Sequence, residues 1–81
     1  MEFVTKLKLN LNTLEKEYTL VRLMAQSTVP AELSSDRWVV NPRSLLGVAS
    51  LDCTRPVTLT LFDQDERLIN GLLGSGLVVI E

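Results

Sequence analysis

The sequence has 81 residues, of which 46% are hydrophobic and 22% are charged, and its formal net charge is −2. These values are typical of one small globular domain, 1–81, and exclude a disordered chain. The weak negative charge and the lack of a basic stripe argue against nucleic acid or an anionic membrane as a partner. No histidine is present, which excludes histidine chemistry and histidine metal sites, and we expect neither a metal nor a cofactor.

The single cysteine, Cys53, cannot form an internal disulfide and suits a reducing compartment. The first residues show neither a signal-peptide core nor an amphipathic transit pattern. No apolar run approaches the roughly 20 residues that a membrane-spanning helix needs. We therefore expect a cytoplasmic protein.

The N-terminal part predicts a strand followed by a helix. Residues 2–11 alternate between apolar and polar side chains, as in a strand with one buried and one solvated face. Residues 13–26 change to helical period, with Asn12 or Thr13 as the capping residue. The apolar positions of this helix predict its core-facing side: Leu14, Tyr18, Val21 and Ala25, widened by Leu20 and Met24.

The middle of the chain predicts a hairpin and a short helix. A strand at 29–35 and a strand at 38–41 flank a tight turn, and Pro30 argues that the first of them starts late, at about Ala31. Strand 38–41 carries a large apolar group on its solvent face in either register. That group either forms a contact surface or is partly covered by a neighbouring loop.

The short helix lies within 42–51, where Pro42 fixes the first φ angle and Ser44 caps the free backbone N–H groups. A helix this short cannot bury both of its faces. Leu46, beside the small Gly47, predicts an exposed apolar corner, which would be a docking surface.

The C-terminal part predicts a strand at 57–62 and a helix that opens with the acidic run from Asp63 and ends at 74–76. The apolar run 77–80 is β-prone, so we expect it to pair with an edge strand, most simply the first or the third. That pairing is either within the chain or with a second copy, which would make a homodimer through the C-terminal strand.

The resulting order is β-α-β-β-α-β-α with an extra terminal segment. Clean alternation in the strands indicates a sheet with one buried and one solvated face. The simplest packing is an α+β fold in which three helices cover one face of a four-stranded antiparallel sheet.

Residues 43–51 read Arg-Ser-Leu-Leu-Gly-Val-Ala-Ser-Leu. This run resembles the second-helix segment of HPr, the phosphocarrier of the bacterial sugar phosphotransferase system: [Lys/Arg]-Ser-[Ile/Leu]-[Met/Leu]-Gly-Val-x-Ser-Leu. The match is nearest to the Gram-positive form. Over about residues 2–70 the element order and lengths are also similar to HPr, so the resemblance implies the open-faced β-sandwich of that family.

The family's phosphoacceptor is a histidine in a His-Thr-Arg-Pro motif at the start of the first helix. An ungapped count back from 43–51 places Thr13-Leu14-Glu15-Lys16 there, and no residue matches. Thr13 occupies the histidine position and has no base to activate its hydroxyl, while Glu15 would repel phosphate. The run Cys53-Thr54-Arg55-Pro56 looks like the motif but lies between the second helix and the fourth strand. Only Arg55 is available to activate Cys53, so we expect no catalytic residue.

The chain is similar to the catabolite-repression HPr-like proteins, which lack the histidine, keep the serine and act through a transcriptional regulator. The resemblance implies a non-catalytic protein-binding or regulatory module that docks through its second helix. Implied partners are a phosphotransferase-system enzyme, a kinase or a transcriptional regulator. The implied docking residues are Arg43, Ser44, Leu45, Leu46, Gly47, Val48 and Ala49, where Ala49 replaces a bulky apolar contact of the family.

Ser44 has two interpretations. The residues alone predict a helix cap. The resemblance implies a site phosphorylated by a kinase, with Arg43 as an added cation and the helix N-terminus favouring the charge. Two other functions stay open for the chain: a phosphocarrier with a non-histidine acceptor, and a diverged domain that serves an unrelated assembly.

Overall fold

The computed structural model of the protein describes residues 4–80. Its elements follow the predicted β-α-β-β-α-β-α order: β1 (Thr5–Leu9), α1 (Leu14–Ala25), β2 (Ala31–Ser35), β3 (Trp38–Val40), α2 (Leu45–Ser50), β4 (Val57–Leu61) and α3 (Glu66–Ser75). Residues 2 and 3 of the predicted first strand lie outside the described residues. No helix among the described residues is long and apolar enough to span a bilayer.

The four strands form one antiparallel sheet in the order β1-β4-β2-β3. The central strand β4 places Leu59 between Leu7 of β1 and Leu33 of β2. Helix α1 contacts both α2 and α3 in the helical layer. The predicted α+β class, with an open-faced four-stranded antiparallel sheet, is therefore confirmed.

The core lies between the sheet and the helices. Its fully buried apolar side chains come from both layers, and burial of each contributes about 1.5–3 kcal/mol. The strands supply Leu9, Leu33, Val57, Leu59 and Leu61, and the helices supply Leu20, Met24, Val48 and Leu72. The apolar positions of β1, β2 and β4 therefore face the core as predicted, with Lys6 and Lys8 exposed on the other side of β1, although Thr60 of β4 is also buried.

Each helix begins at a side-chain cap. Thr13 Oγ1 accepts from the Lys16 N–H at 3.2 Å, Ser44 Oγ from the Gly47 N–H at 3.1 Å, and Asp65 Oδ1 from the Leu68 N–H at 3.0 Å. Each bond satisfies a donor that the first helical turn leaves free. The capping role predicted for Thr13 and for Ser44 is confirmed.

The predicted core-facing side of α1 is wrong for three of its four main positions. Leu14 and Tyr18 are more than half exposed and Ala25 is exposed, while Val21 is half-buried. Leu20 and Met24, predicted only to widen the stripe, have no exposed surface and form the buried stripe. We call the positions Leu14, Tyr18, Val21 and Ala25 the outer stripe.

The C-terminal segment turns at Gly76, whose φ of 80° lies in the left-handed region that suits glycine, and then returns to the sheet. Asn10 N–H donates to the Leu77 carbonyl and Val79 N–H donates to the Lys8 carbonyl, both at 2.8 Å. The segment thus pairs with the first strand, as predicted, through a single bridge between Leu9 and Val78. Of the two predicted modes of pairing, the structure shows the one within the chain.

Candidate protein-docking surface

Arg43 connects the start of α2 to the end of α1. Its Nε donates to the carbonyls of Met24 at 3.0 Å and Ser27 at 3.2 Å, and one terminal nitrogen donates to Ser27 at 2.6 Å and to Val29 at 2.8 Å. The Met24 carbonyl lies in the last turn of α1 and the other two come just after it, where a cation also offsets the helix dipole. The guanidinium that the resemblance assigns to a phosphate on Ser44 is therefore held by the main chain, and Arg43 anchors the fold.

Ser44 is half-buried, and its side chain is already used by the backbone. Its Oγ accepts from the Gly47 N–H, and its own N–H donates to the Asn41 carbonyl at 3.0 Å. A phosphoryl group on Ser44 would have to share or replace the capping bond. Its oxygens would meet the same free N–H groups at the start of α2.

The rest of the segment 43–49 divides between the two sides of α2. Val48 is buried, and a methyl group on Gly47 would already be in van der Waals contact with the Asn41 carbonyl oxygen, 3.4 Å away. Leu46 is 86% exposed and Ala49 is exposed as well. The predicted apolar corner at Leu46 is therefore present, while Arg43, Gly47 and Val48 support it from within.

The outer stripe of α1 adds a second apolar surface, which the sequence reasoning missed. It lines a shallow groove of about 610 Å³ that also includes Glu15, Thr19 and Arg22. Helices α1 and α2 contact each other, so the outer stripe and Leu46 belong to adjacent helices. The signal in the sequence was an excess of apolar positions, since α1 has more of them than one core-facing stripe needs.

Thr13, which the resemblance to HPr sets at the histidine position, lies at a second hollow, of about 530 Å³. The start of α1 and the loop after α2 form its walls, with Leu11, Asn12, Leu14, Glu17, Leu51, Asp52, Cys53 and Thr54 as the other lining residues. The structure therefore brings Cys53 and Thr54 near Thr13, although they are 40 and 41 positions later in the chain. The sequence order alone had separated the two sites.

The chemistry of this second hollow is unfavourable for a nucleophile. Burial, followed by the negative charge of Glu17 and its hydrogen bond, raises the pKa of the Cys53 thiol to about 11. The thiol stays protonated at neutral pH, whereas nucleophilic cysteines have lowered pKa values. The hydrogen bonds from Thr54 to Asp52 hold the pKa of that carboxyl below its usual range, so Asp52 stays anionic beside the thiol.

Within residues 4–80, no group of three or more cysteine, aspartate or glutamate side chains is arranged to hold a metal ion. Comparisons with protein-family models, with curated proteins and with solved structures find no match. The fold and the exposed apolar positions on α1 and α2 thus define a small α+β domain with a candidate protein-docking surface.

Proposed function

We propose that this chain is a non-catalytic protein-binding or regulatory module of the HPr type, which docks its partner through α2. The observation that carries the proposal is the exposure of Leu46 on α2, where Val48 is buried in the core and Arg43, just before the helix, binds the end of α1. A leucine with 86% of its surface in water gains about 1.5–3 kcal/mol when a partner buries it fully.

The outer stripe of α1 supports the same function. Exposed contiguous apolar surface is typical of protein interaction sites, and the outer stripe lines one groove on α1. Tyr18 adds an aromatic ring, and aromatic residues are enriched among the side chains that dominate binding energies. We therefore include the outer stripe in the docking surface, beside the segment 43–49.

Two observations support a non-catalytic role. The Thr13 hydroxyl is engaged as the cap of α1 and has a carboxylate, Glu17, in the same hollow. The raised pKa of Cys53 leaves it protonated at neutral pH. An activated nucleophile needs a lowered pKa or a base that takes its proton, whereas the Cys53 pKa is raised and the Thr13 Oγ1 is occupied by its capping bond.

A binding experiment tests the docking proposal. The partners implied by the resemblance are the first enzyme of the phosphotransferase system, an HPr kinase and a catabolite-control transcriptional regulator. Each purified protein is titrated with wild type, Leu46→Asp and Leu73→Asp by isothermal calorimetry. Leu73, 50% exposed on α3, is the matched control.

We expect at least one of the three proteins to bind, Leu46→Asp to weaken that binding by tenfold or more, and Leu73→Asp to leave it unchanged. If none of them binds, the HPr-type function is wrong. If both aspartate variants weaken binding equally, the protein-binding function is supported, but α2 is not the docking surface.

The phosphocarrier alternative is tested separately. Incubation with phosphoenolpyruvate and the first enzyme of the system, followed by intact-mass measurement, should show no phosphoryl transfer to this chain. Acid-labile phosphate on any residue, together with restored sugar uptake in a strain that lacks its own HPr, would overturn the non-catalytic proposal.

We further propose that a kinase controls docking by phosphorylating Ser44. The phosphate would add about −1.5 to −2 charges two residues before the exposed Leu46 and change an apolar corner into an anionic one. After incubation with an HPr kinase and ATP, mass spectrometry should map phosphate in wild type and in Ser50→Ala but not in Ser44→Ala. Ser50, exposed in the same helix, is the matched control. Equal incorporation in all three proteins would leave Ser44 as a cap only.

A further inference from the structure

The two edges of the sheet differ in how they are protected. At the β1 edge, residues 77–79 pair with Lys8 and Asn10, and Lys6 and Lys8 are exposed on the strand. Lysines and covering segments are common ways to prevent strand pairing at an edge. At the β3 edge, the strand Trp38–Val40 has no charge, and no strand among residues 4–80 pairs with its outer side. Trp38 is 69% exposed and Val39 is 57% exposed.

The hairpin geometry shows which backbone groups are free at this edge. A two-residue turn, Asp36–Arg37, connects β2 to β3, and its closing pair is Ser35 with Trp38. In an antiparallel hairpin of this length the closing pair exchanges both hydrogen bonds, and the next pair exchanges none. That next pair is Ser34 with Val39, so the N–H and C=O groups of Val39 point away from β2.

We propose that β3 pairs with β3 of a second copy of this chain, which forms a symmetric dimer with a continuous eight-stranded antiparallel sheet. With a two-fold axis at Val39, the free N–H of each Val39 donates to the free C=O of the other, which forms two hydrogen bonds. The same register sets Trp38 of each copy across from Val40 of the other. Aromatic and β-branched residues across antiparallel strands form a stabilising cross-strand pair.

The protected β1 edge explains why association stops at a dimer and does not continue into a fibre. Pairing β3 with β3 uses the same surface on both chains, so the contact is closed by its two-fold symmetry. A third chain could add only at a β1 edge. There, residues 77–79 already use backbone groups of the strand, and the exposed lysines disfavour pairing with another strand.

The small contact makes the dimer weak. Two partly exposed tryptophans and two valines supply only about 400–600 Å² of apolar surface, less than the roughly 1,200 Å² of stable interfaces. We therefore expect a dissociation constant on the order of 0.1–1 mM, so the dimer forms at high local concentration. It uses β3, whereas the proposed partner surface uses α1 and α2.

Sedimentation equilibrium and tryptophan fluorescence test this proposal. Trp38 is the sole tryptophan of the sequence, so its emission reports directly on the β3 edge. As the concentration rises from about 10 µM to about 1 mM, the mean mass of the wild type should rise toward a dimer and the emission should move to shorter wavelength. A constant monomer mass with constant emission over this range would overturn the proposal.

Val39→Lys places like charges directly opposite each other at the proposed axis and should leave a monomer at every concentration. Val4→Lys is the matched control, because Val4 is 52% exposed just before β1 at the other edge. We expect Val4→Lys to associate as the wild type does, and equal loss of association in both variants would contradict the proposal.

Circular dichroism checks that each variant is folded. If Val39→Lys does not fold, the wild-type concentration series still decides the question. Leu46→Asp should dimerise as the wild type does, so failure of the docking surface and failure of the dimer are separate results.

Discussion

The buried stripe and the outer stripe of α1 have similar side chains in opposite environments. Leu20 and Met24 have no exposed surface, whereas Leu14 and Tyr18 are more than half exposed. Both stripes repeat at helical spacing, so both satisfy the pattern of a core-facing helix. The comparison teaches that apolar period identifies an amphipathic helix, while the position of the sheet and the other helices selects which apolar stripe is covered.

The largest expected effect comes from truncating the buried stripe. Leu20→Ala should lower the free energy of unfolding by about 2–5 kcal/mol, because it removes buried apolar atoms and leaves a cavity that the surrounding side chains fill only in part. Leu14→Ala, the matched change in the outer stripe, should cost less than about 1 kcal/mol. Urea unfolding of both variants measures this contrast. Similar losses at the two positions would show that the outer stripe is also packed.

The contact that places the end of α1 should have the next largest effect. Arg43→Ala removes a charged donor from three carbonyls and should cost about 2–3 kcal/mol of unfolding free energy. Arg43→Lys should recover only part of this loss, since an ammonium group lacks the planar fork of donors. Arg22→Ala, at an exposed arginine in the last turn of α1, is the control and should be nearly neutral. A neutral Arg43→Ala would mean that the carbonyls are satisfied without it.

Removing the N-terminal cap of α1 weakens the helix that carries both stripes. The expected loss of unfolding free energy is smaller than for Leu20→Ala or Arg43→Ala. Thr13→Ala should cost about 1 kcal/mol, because the Lys16 N–H loses its partner. Thr13→Ser keeps a hydroxyl at the same position and should stay close to wild type. Thermal unfolding compares the three proteins, and an unstable Thr13→Ser would argue that the threonine methyl, not the cap, matters.

A change of thiol reactivity, without a large loss of stability, is expected at Glu17, on the side of α1 that meets the Cys53 loop. Glu17→Gln should lower the pKa of the Cys53 thiol from about 11 and speed its alkylation near pH 9 a few-fold, because the reactive species is the thiolate. Burial is the larger cause of the raised pKa and is unchanged by the substitution. Iodoacetamide labelling followed by mass spectrometry measures the rate. Glu15→Gln, on the exposed side of the same turn, should leave the rate unchanged.

The same raised pKa predicts how stability depends on alkaline pH. An unfolded cysteine ionises near pH 8.5, whereas Cys53 in the folded protein ionises near 11. The unfolded state therefore loses its proton first as the pH rises through this interval, which lowers the free energy of unfolding. Cys53→Ser should remove this part of the alkaline loss, as measured by urea unfolding at pH 8 and at about pH 10.5.

Much of the local structure was predictable from short stretches of sequence. The alternation of Val57, Leu59 and Leu61 with threonines predicted β4, and the hydroxyls of Thr13 and Ser44 predicted two helix starts. The exposed Leu46 was also predictable, because a helix as short as α2 cannot bury both faces. Each of these predictions depends on side chains that lie within a few residues of one another.

The candidate site was predicted less completely. Arg43 was expected at the docking surface, yet its guanidinium lies among the carbonyls of Met24, Ser27 and Val29. Leu14 and Tyr18 were expected in the core and lie at the surface. Cys53 and Thr54 were separated from Thr13 by sequence order, and the fold brings them to one hollow.

By itself, the sequence determined the order of helices and strands, the helix caps and the α+β class, since hydrogen bonds and side-chain periods act over one or two turns or along one strand. Only the tertiary structure decided which stripe of α1 is covered and which carbonyls Arg43 binds. Those contacts join residues 14 to 19 positions apart or more. Leu20 and Met24 lie in the core between the sheet and the helices, where their apolar surface is removed from water, and most of the outer stripe stays exposed on α1.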